Sequence, residues 1–126
     1  LGNDVSGKDI LLIDDMIATG HTILDVARGL KERGANRIFI CVTFGLFSNG
    51  TAELDAAYDE NIFDSIYTTN LSYCPDEVKN KPYYHSVDLS KYISAIIDTL
   101  NHDTSVNDLI DATQRIQDIV QKHNNK

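Results

Sequence analysis

Two short, unbroken apolar runs constrain this chain more than any other feature: Ile10-Leu11-Leu12-Ile13 and Ile38-Phe39-Ile40-Cys41-Val42. Runs of this length suit strands buried on both faces, as in a parallel sheet. Between them Ile23, Val26, Ala27 and Leu30 recur at i, i+3, i+4 and i+7, so one face of a helix is apolar. Gly34, after Lys31 and Arg33, is a common helix stop. Strand, helix and strand in that order make a βαβ unit, whose crossover is expected to be right-handed.

The pattern continues. Residues 45–50 read as a turn with two glycines and 51–60 as a short helix. Ile66-Tyr67-Thr68-Thr69 reads as a third strand, 70–82 as a polar loop holding both prolines, and Tyr84 to Val87 as a fourth strand. A helix is expected to start near Asp88, acting as its N-cap, with Ile93, Ile96, Ile97 and Leu100 on one face. Ala112, Ile116, Ile119 and Val120 repeat that spacing in the tail, which then turns polar and is expected to fray. The 126 residues are enough for one compact domain. The expected fold class is α/β: a mainly parallel sheet flanked by helices.

Charge excludes some functions. Net charge is −8, with six acids against five bases in residues 1–50 and thirteen against six in residues 51–126. An acidic chain is a poor partner for nucleic acid, which is held largely by Lys and Arg. No apolar run approaches the roughly 20 residues of a membrane span, and no basic-then-apolar secretory segment is present. The chain opens on Leu1, as a fragment or processed product would. Cys41 sits in an apolar run and Cys74 in a polar loop, which fits reduced thiols in the cytoplasm rather than a disulfide framework.

The chemistry is concentrated in Ile13-Asp14-Asp15-Met16-Ile17-Ala18-Thr19-Gly20-His21-Thr22. Open parallel sheets bind ligands beyond the carboxyl ends of their strands. The start of the next helix offers unpaired N–H groups and a partial positive charge. Gly20 allows a tight turn and close approach, and two threonine hydroxyls add donors. These features suit a small phosphate. Asp14 and Asp15 accept hydrogen bonds only, and the vicinal hydroxyls of a sugar supply donors. The stretch therefore points to a phosphorylated sugar. From the residues alone, solvated surface, a magnesium site or an ordinary helix cap remain alternatives.

The same stretch resembles the PRPP motif of the type I phosphoribosyltransferase fold, hydrophobic-Asp-Asp, three variable residues, then Thr-Gly-x-Thr. Gly7-Lys8-Asp9, Thr43-Phe44-Gly45-Leu46-Phe47-Ser48 and Asn101-His102-Asp103-Thr104-Ser105-Val106 are similar to segments of the ribose-phosphate diphosphokinases, the PRPP synthases. The likeness covers roughly residues 2–111. It implies a phosphoribosyltransferase-like domain over 1–111 that binds ribose 5-phosphate or PRPP, followed by a helical extension over 112–126. By position, Asp14 and Asp15 would meet the ribose hydroxyls, and Ala18, Thr19, Gly20, His21 and Thr22 the 5-phosphate.

The family transfers the diphosphoryl group of ATP to ribose 5-phosphate with magnesium. The resemblance places the ATP and metal contacts in a preceding amino-terminal half, so no catalytic or metal-binding residue is assigned here. It also implies a homo-oligomeric parent enzyme. Alternatives are a non-catalytic regulatory subunit or a phosphoribosyltransferase, although no nucleobase pocket is apparent. Three departures stand out: Ala18 where many relatives have Asp, Phe44 for His, and His21 at a position that is often Gly. A family pattern that binds the phosphates of inhibitory ADP reads here Ser105-Val106-Asn107-Asp108-Leu109-Ile110-Asp111. Asp111 puts an anion where a hydroxyl would donate, so weak ADP inhibition is expected, unless Asp111 serves only to cap the tail helix.

Overall fold

The computed structural model describes residues 4–106 and 111–125. They divide into two compact units between Asp88 and Leu89. The first contains β1 (Ile10–Ile17), α1 (His21–Glu32), β2 (Ile38–Gly45), α2 (Ala52–Asp59), β3 (Ser65–Thr69), α3 (Asp76–Lys79) and β4 (Tyr84–Val87). The second contains α4 (Ser90–Asn101) and α5 (Thr113–Asn124).

The four strands form one parallel sheet in the order β1-β2-β3-β4. The α/β class with a parallel sheet and flanking helices is therefore correct. Alternation along the strands sends Ile38, Ile40, Val42, Ile66 and Tyr84 to one face, where they are buried with Leu24, Ala27, Leu54 and Val78 of the helices. Phe63 and Tyr83 close this core edge to face, with ring centroids 5.3 Å apart.

Several expectations are corrected. β1 is not buried on both faces: Leu11 is 57% exposed and Ile13 77%. β1 also runs four residues past Ile13, because β2 continues to Gly45 and pairs Met16 with Phe44 and Ile17 with Gly45. Asp14 and Asp15 thus lie within a paired strand, not after it. In α1 the buried face is Ile23, Leu24 and Ala27, while Val26 is exposed; the i, i+1, i+4 face is the one that meets the sheet. The loop 70–82 contains the single turn α3, whose Val78 is fully buried. α4 begins at Ser90 with Leu89 as N-cap, one residue after Asp88, whose carboxylate accepts from Asn70 Nδ2 at 2.7 Å.

Gly45 shows how tightly β2 ends. A Cβ there would lie 2.5 Å from Phe47 Cε2 and 2.9 Å from Thr68 Cγ2, so only glycine fits. Phe47 itself takes the left-handed conformation (φ 47°), which a bulky residue adopts only when packing holds it. Its ring is buried and meets Tyr84 edge to face at 5.9 Å.

In the second unit, α4 and α5 carry the apolar stripes expected from their spacing. Ile93 and Ile96 are half-buried, and Ile97, Leu100, Ile116, Ile119 and Val120 are exposed. Among the described residues no helix is long and apolar enough to cross a membrane.

Candidate functional site

The loop from Ile17 to Gly20 joins the carboxyl end of β1 to α1. Gly20 is the N-cap of α1 in the left-handed conformation (φ 97°, ψ −17°), with no side-chain cap bond. The turn needs glycine on two counts. The positive φ disfavours other residues, and a Cβ would press on buried Leu54 Cδ2 at 3.3 Å. Its carbonyl accepts the first helical bond, from Leu24 N at 3.0 Å. The amides of His21, Thr22 and Ile23 then open the helix without intrahelical acceptors, as in any α-helix.

The loop rests on the segment after β2. The Ile17 carbonyl accepts from Leu46 N at 2.8 Å. The Ala18 carbonyl accepts from Ser48 N at 2.8 Å and from Ser48 Oγ at 3.0 Å. These bonds tie two loop carbonyls to residues 46–48. A cavity of about 220 Å³ opens beside the loop, lined by Asp14, Met16, Ile17, Ala18, Thr19, Gly20, Thr22 and Ile23. A concave site at a helix N-terminus with donor amides, two hydroxyls and one carboxylate can hold an anion that also carries hydroxyl groups.

Five of the seven residues expected at a phosphosugar site line this cavity: Asp14, Ala18, Thr19, Gly20 and Thr22. Asp15 and His21 do not. Strand alternation turns neighbouring side chains to opposite faces, so Asp14 and Asp15 are not side by side. The Asp14 carboxylate also accepts the Asp15 amide at 2.8 Å. His21 Nδ1 lies 2.8 Å from Glu53 Oε2 on the first turn of α2. Sequence reading missed Glu53, Ser48 and Leu54. Ser48 lay inside a segment matched for resemblance, but nothing in its spacing foretold bonds to the loop 30 residues earlier.

Elsewhere, Asp111 accepts the Thr113 amide at 2.9 Å at the start of α5, and this bonding holds its carboxyl below the usual range. The N-cap of α5 is Ala112, so Asp111 stands one residue before it and satisfies one free amide of the first turn. Residues 107–110 of the ADP-type segment lie outside the described residues. Cys41 and Cys74 are free thiols, and burial pushes the Cys41 thiol up.

Comparison with known proteins follows the same lines. Residues 1–111 match the family described as phosphoribosyl synthetase-associated domain. A ribose-phosphate pyrophosphokinase of Pasteurella multocida is 35% identical over 103 residues, covering 82% of this chain and 32% of that protein. That of Haemophilus ducreyi is 32% identical over 109 residues, covering 86% and 34%. The crystal structure of phosphoribosylpyrophosphate synthetase from Mycobacterium smegmatis superposes with a TM-score of 0.71 at 28% identity, covering 81% of this chain and 33% of that one. The chain thus spans about a third of the length of the relatives it matches. With the parallel sheet, the glycine-capped loop and these matches in agreement, the chain belongs to the phosphoribosyl synthetase-associated family, whose relatives include the ribose-phosphate pyrophosphokinases.

Proposed function

We propose that this chain is the ribose 5-phosphate- or PRPP-binding, carboxyl-terminal portion of a ribose-phosphate diphosphokinase. The observation that carries the reading is the cavity at the start of α1, where five motif residues converge in a member of this family. The helix-terminal amides and the Thr19 and Thr22 hydroxyls donate to the 5-phosphate. The Asp14 carboxylate, which lines the cavity, accepts from a ribose hydroxyl.

In the whole enzyme the sugar 1-hydroxyl attacks the β-phosphorus of ATP, and AMP leaves. The charge that develops demands cationic positioning. This chain's net charge of −8 does not supply it. The family resemblance places ATP, and most of the work of positioning it, in a preceding amino-terminal half. Magnesium usually rides on substrate phosphates with one or two carboxylates. Exposed Asp14 supplies one such carboxylate, and among the described residues no three His, Cys, Asp or Glu side chains converge into a protein cage. A homo-oligomeric, cytoplasmic parent completes the reading.

Calorimetric titration of the chain with ribose 5-phosphate tests it. Binding is expected without ATP and lost in Gly20→Val. Equal binding by that variant would move the site elsewhere. The family's description as synthetase-associated favours a second reading, a non-catalytic subunit that regulates active ones. Adding the chain to an active pyrophosphokinase separates the two: a changed rate supports the regulator.

A further inference from the structure

His21 is the first residue of α1, and its Nδ1 meets Glu53 Oε2 at 2.8 Å. A carboxylate only accepts hydrogen bonds, so Nδ1 carries the proton and donates. Glu53 stands in the first turn of α2, and the next residue, Leu54, is buried against the place where a Gly20 Cβ would sit. Two successive residues of α2 therefore grip two successive residues of the loop end, one by a hydrogen bond and one by packing. Both partners of the pair are more than half exposed, at 58% and 54%. Exposed pairs add little to global stability. The value of this one lies in where it holds the first turn of α1.

We propose that Glu53 is a positioning residue for the anion-binding loop, acting through His21 to fix the first turn of α1 against α2. The inference rests on the reading of that loop as a phosphate site. It makes a prediction opposite in sign to simple electrostatics. An acid near an anion site repels the ligand, so removing its charge should by itself tighten binding. If Glu53 works by positioning, Glu53→Ala weakens binding instead.

The test is titration of the full chain with ribose 5-phosphate, and with inorganic phosphate as a smaller probe. Glu53→Ala is expected to lose about three- to fivefold in affinity, the scale of one hydrogen bond. Glu53→Gln keeps an acceptor for Nδ1–H and should stay within about twofold of wild type. His21→Asn keeps a donor near the Nδ1 position and should resemble Glu53→Gln, whereas His21→Ala should resemble Glu53→Ala. The double alanine variant should be no weaker than either single one, because both remove the same contact.

A ligand-free readout keeps this inference separable from the site reading. The Leu24 amide, bonded to the Gly20 carbonyl, should exchange with solvent several times faster in Glu53→Ala and at the wild-type rate in Glu53→Gln. If wild type binds neither probe, the phosphate reading fails, while the exchange rates still decide the positioning role. Tighter binding by Glu53→Ala, additive losses in the double variant, or unchanged Leu24 exchange would overturn the proposal.

Discussion

Asp55 accepts hydrogen bonds from three side chains, and its replacement by alanine gives a quantitative test of how α2 is anchored. Its oxygens accept from Tyr83 O–H at 2.7 Å, Lys81 Nζ at 2.6 Å and Thr51 Oγ1 at 3.0 Å. Partial burial pushes its carboxyl up, but the bonds from Lys81, Tyr83 and Thr51 outweigh that and hold it below the ordinary value. Burial and the same bond push the Tyr83 hydroxyl up. The bond from buried Tyr83 to a charged acceptor contributes about 1.5–3 kcal/mol. The Lys81 pair, with side chains 28% and 35% exposed, contributes only about 0.2–1 kcal/mol after solvent screening. Asp55→Ala should therefore cost about 3 kcal/mol at pH 7, a fall in Tm of about 15 °C for a unit of this size.

The pH dependence of that loss follows from the depressed carboxyl. Stability from a lowered carboxyl is present above the unfolded value, about 3.9, and is lost as pH falls through the folded value. The gap between wild type and Asp55→Ala should thus narrow from pH 7 to pH 3. Urea unfolding followed by circular dichroism at both pH values measures it. A gap below about 0.5 kcal/mol at pH 7, or an equal gap at both pH values, refutes the reasoning.

Other predictions are more local. Gly45→Ala should destabilise by about 1–3 kcal/mol through overlap with Phe47 and Thr68, and thermal unfolding checks it. Asp14→Asn should weaken ribose 5-phosphate binding by about 1.5–3 kcal/mol in calorimetry, with stability unchanged because the side chain is exposed. The chain alone, mixed with ATP, magnesium and ribose 5-phosphate, should release no AMP above background; steady turnover by pure chain would contradict the assignment of ATP to another half. Asp9→Asn should leave stability close to that of wild type, because its pair with Arg37 is exposed and screened by solvent, and chemical unfolding reads this directly.

The parallel α/β plan was legible because it depends on periodicity. Apolar runs at Ile10–Ile13 and Ile38–Val42 mark strands, and the helical spacing between them marks a βαβ crossover. The glycine-capped loop was legible for a related reason. Thr19-Gly20-His21-Thr22 after a strand is local chemistry, and the left-handed Gly20 is a property of the backbone at one residue. What sequence could not reach depends on partners distant in the chain. β1 extends to Ile17 because β2 continues beside it, and Leu24 displaces Val26 from the core because the sheet meets that side of α1. Ser48 holds the Ala18 carbonyl from 30 residues away, and Glu53 reaches His21 from 32 residues away. Such contacts have no sequence period. They are set by how helices and loops stack on a twisted sheet, so only the tertiary structure could decide which five of the seven motif residues share one cavity.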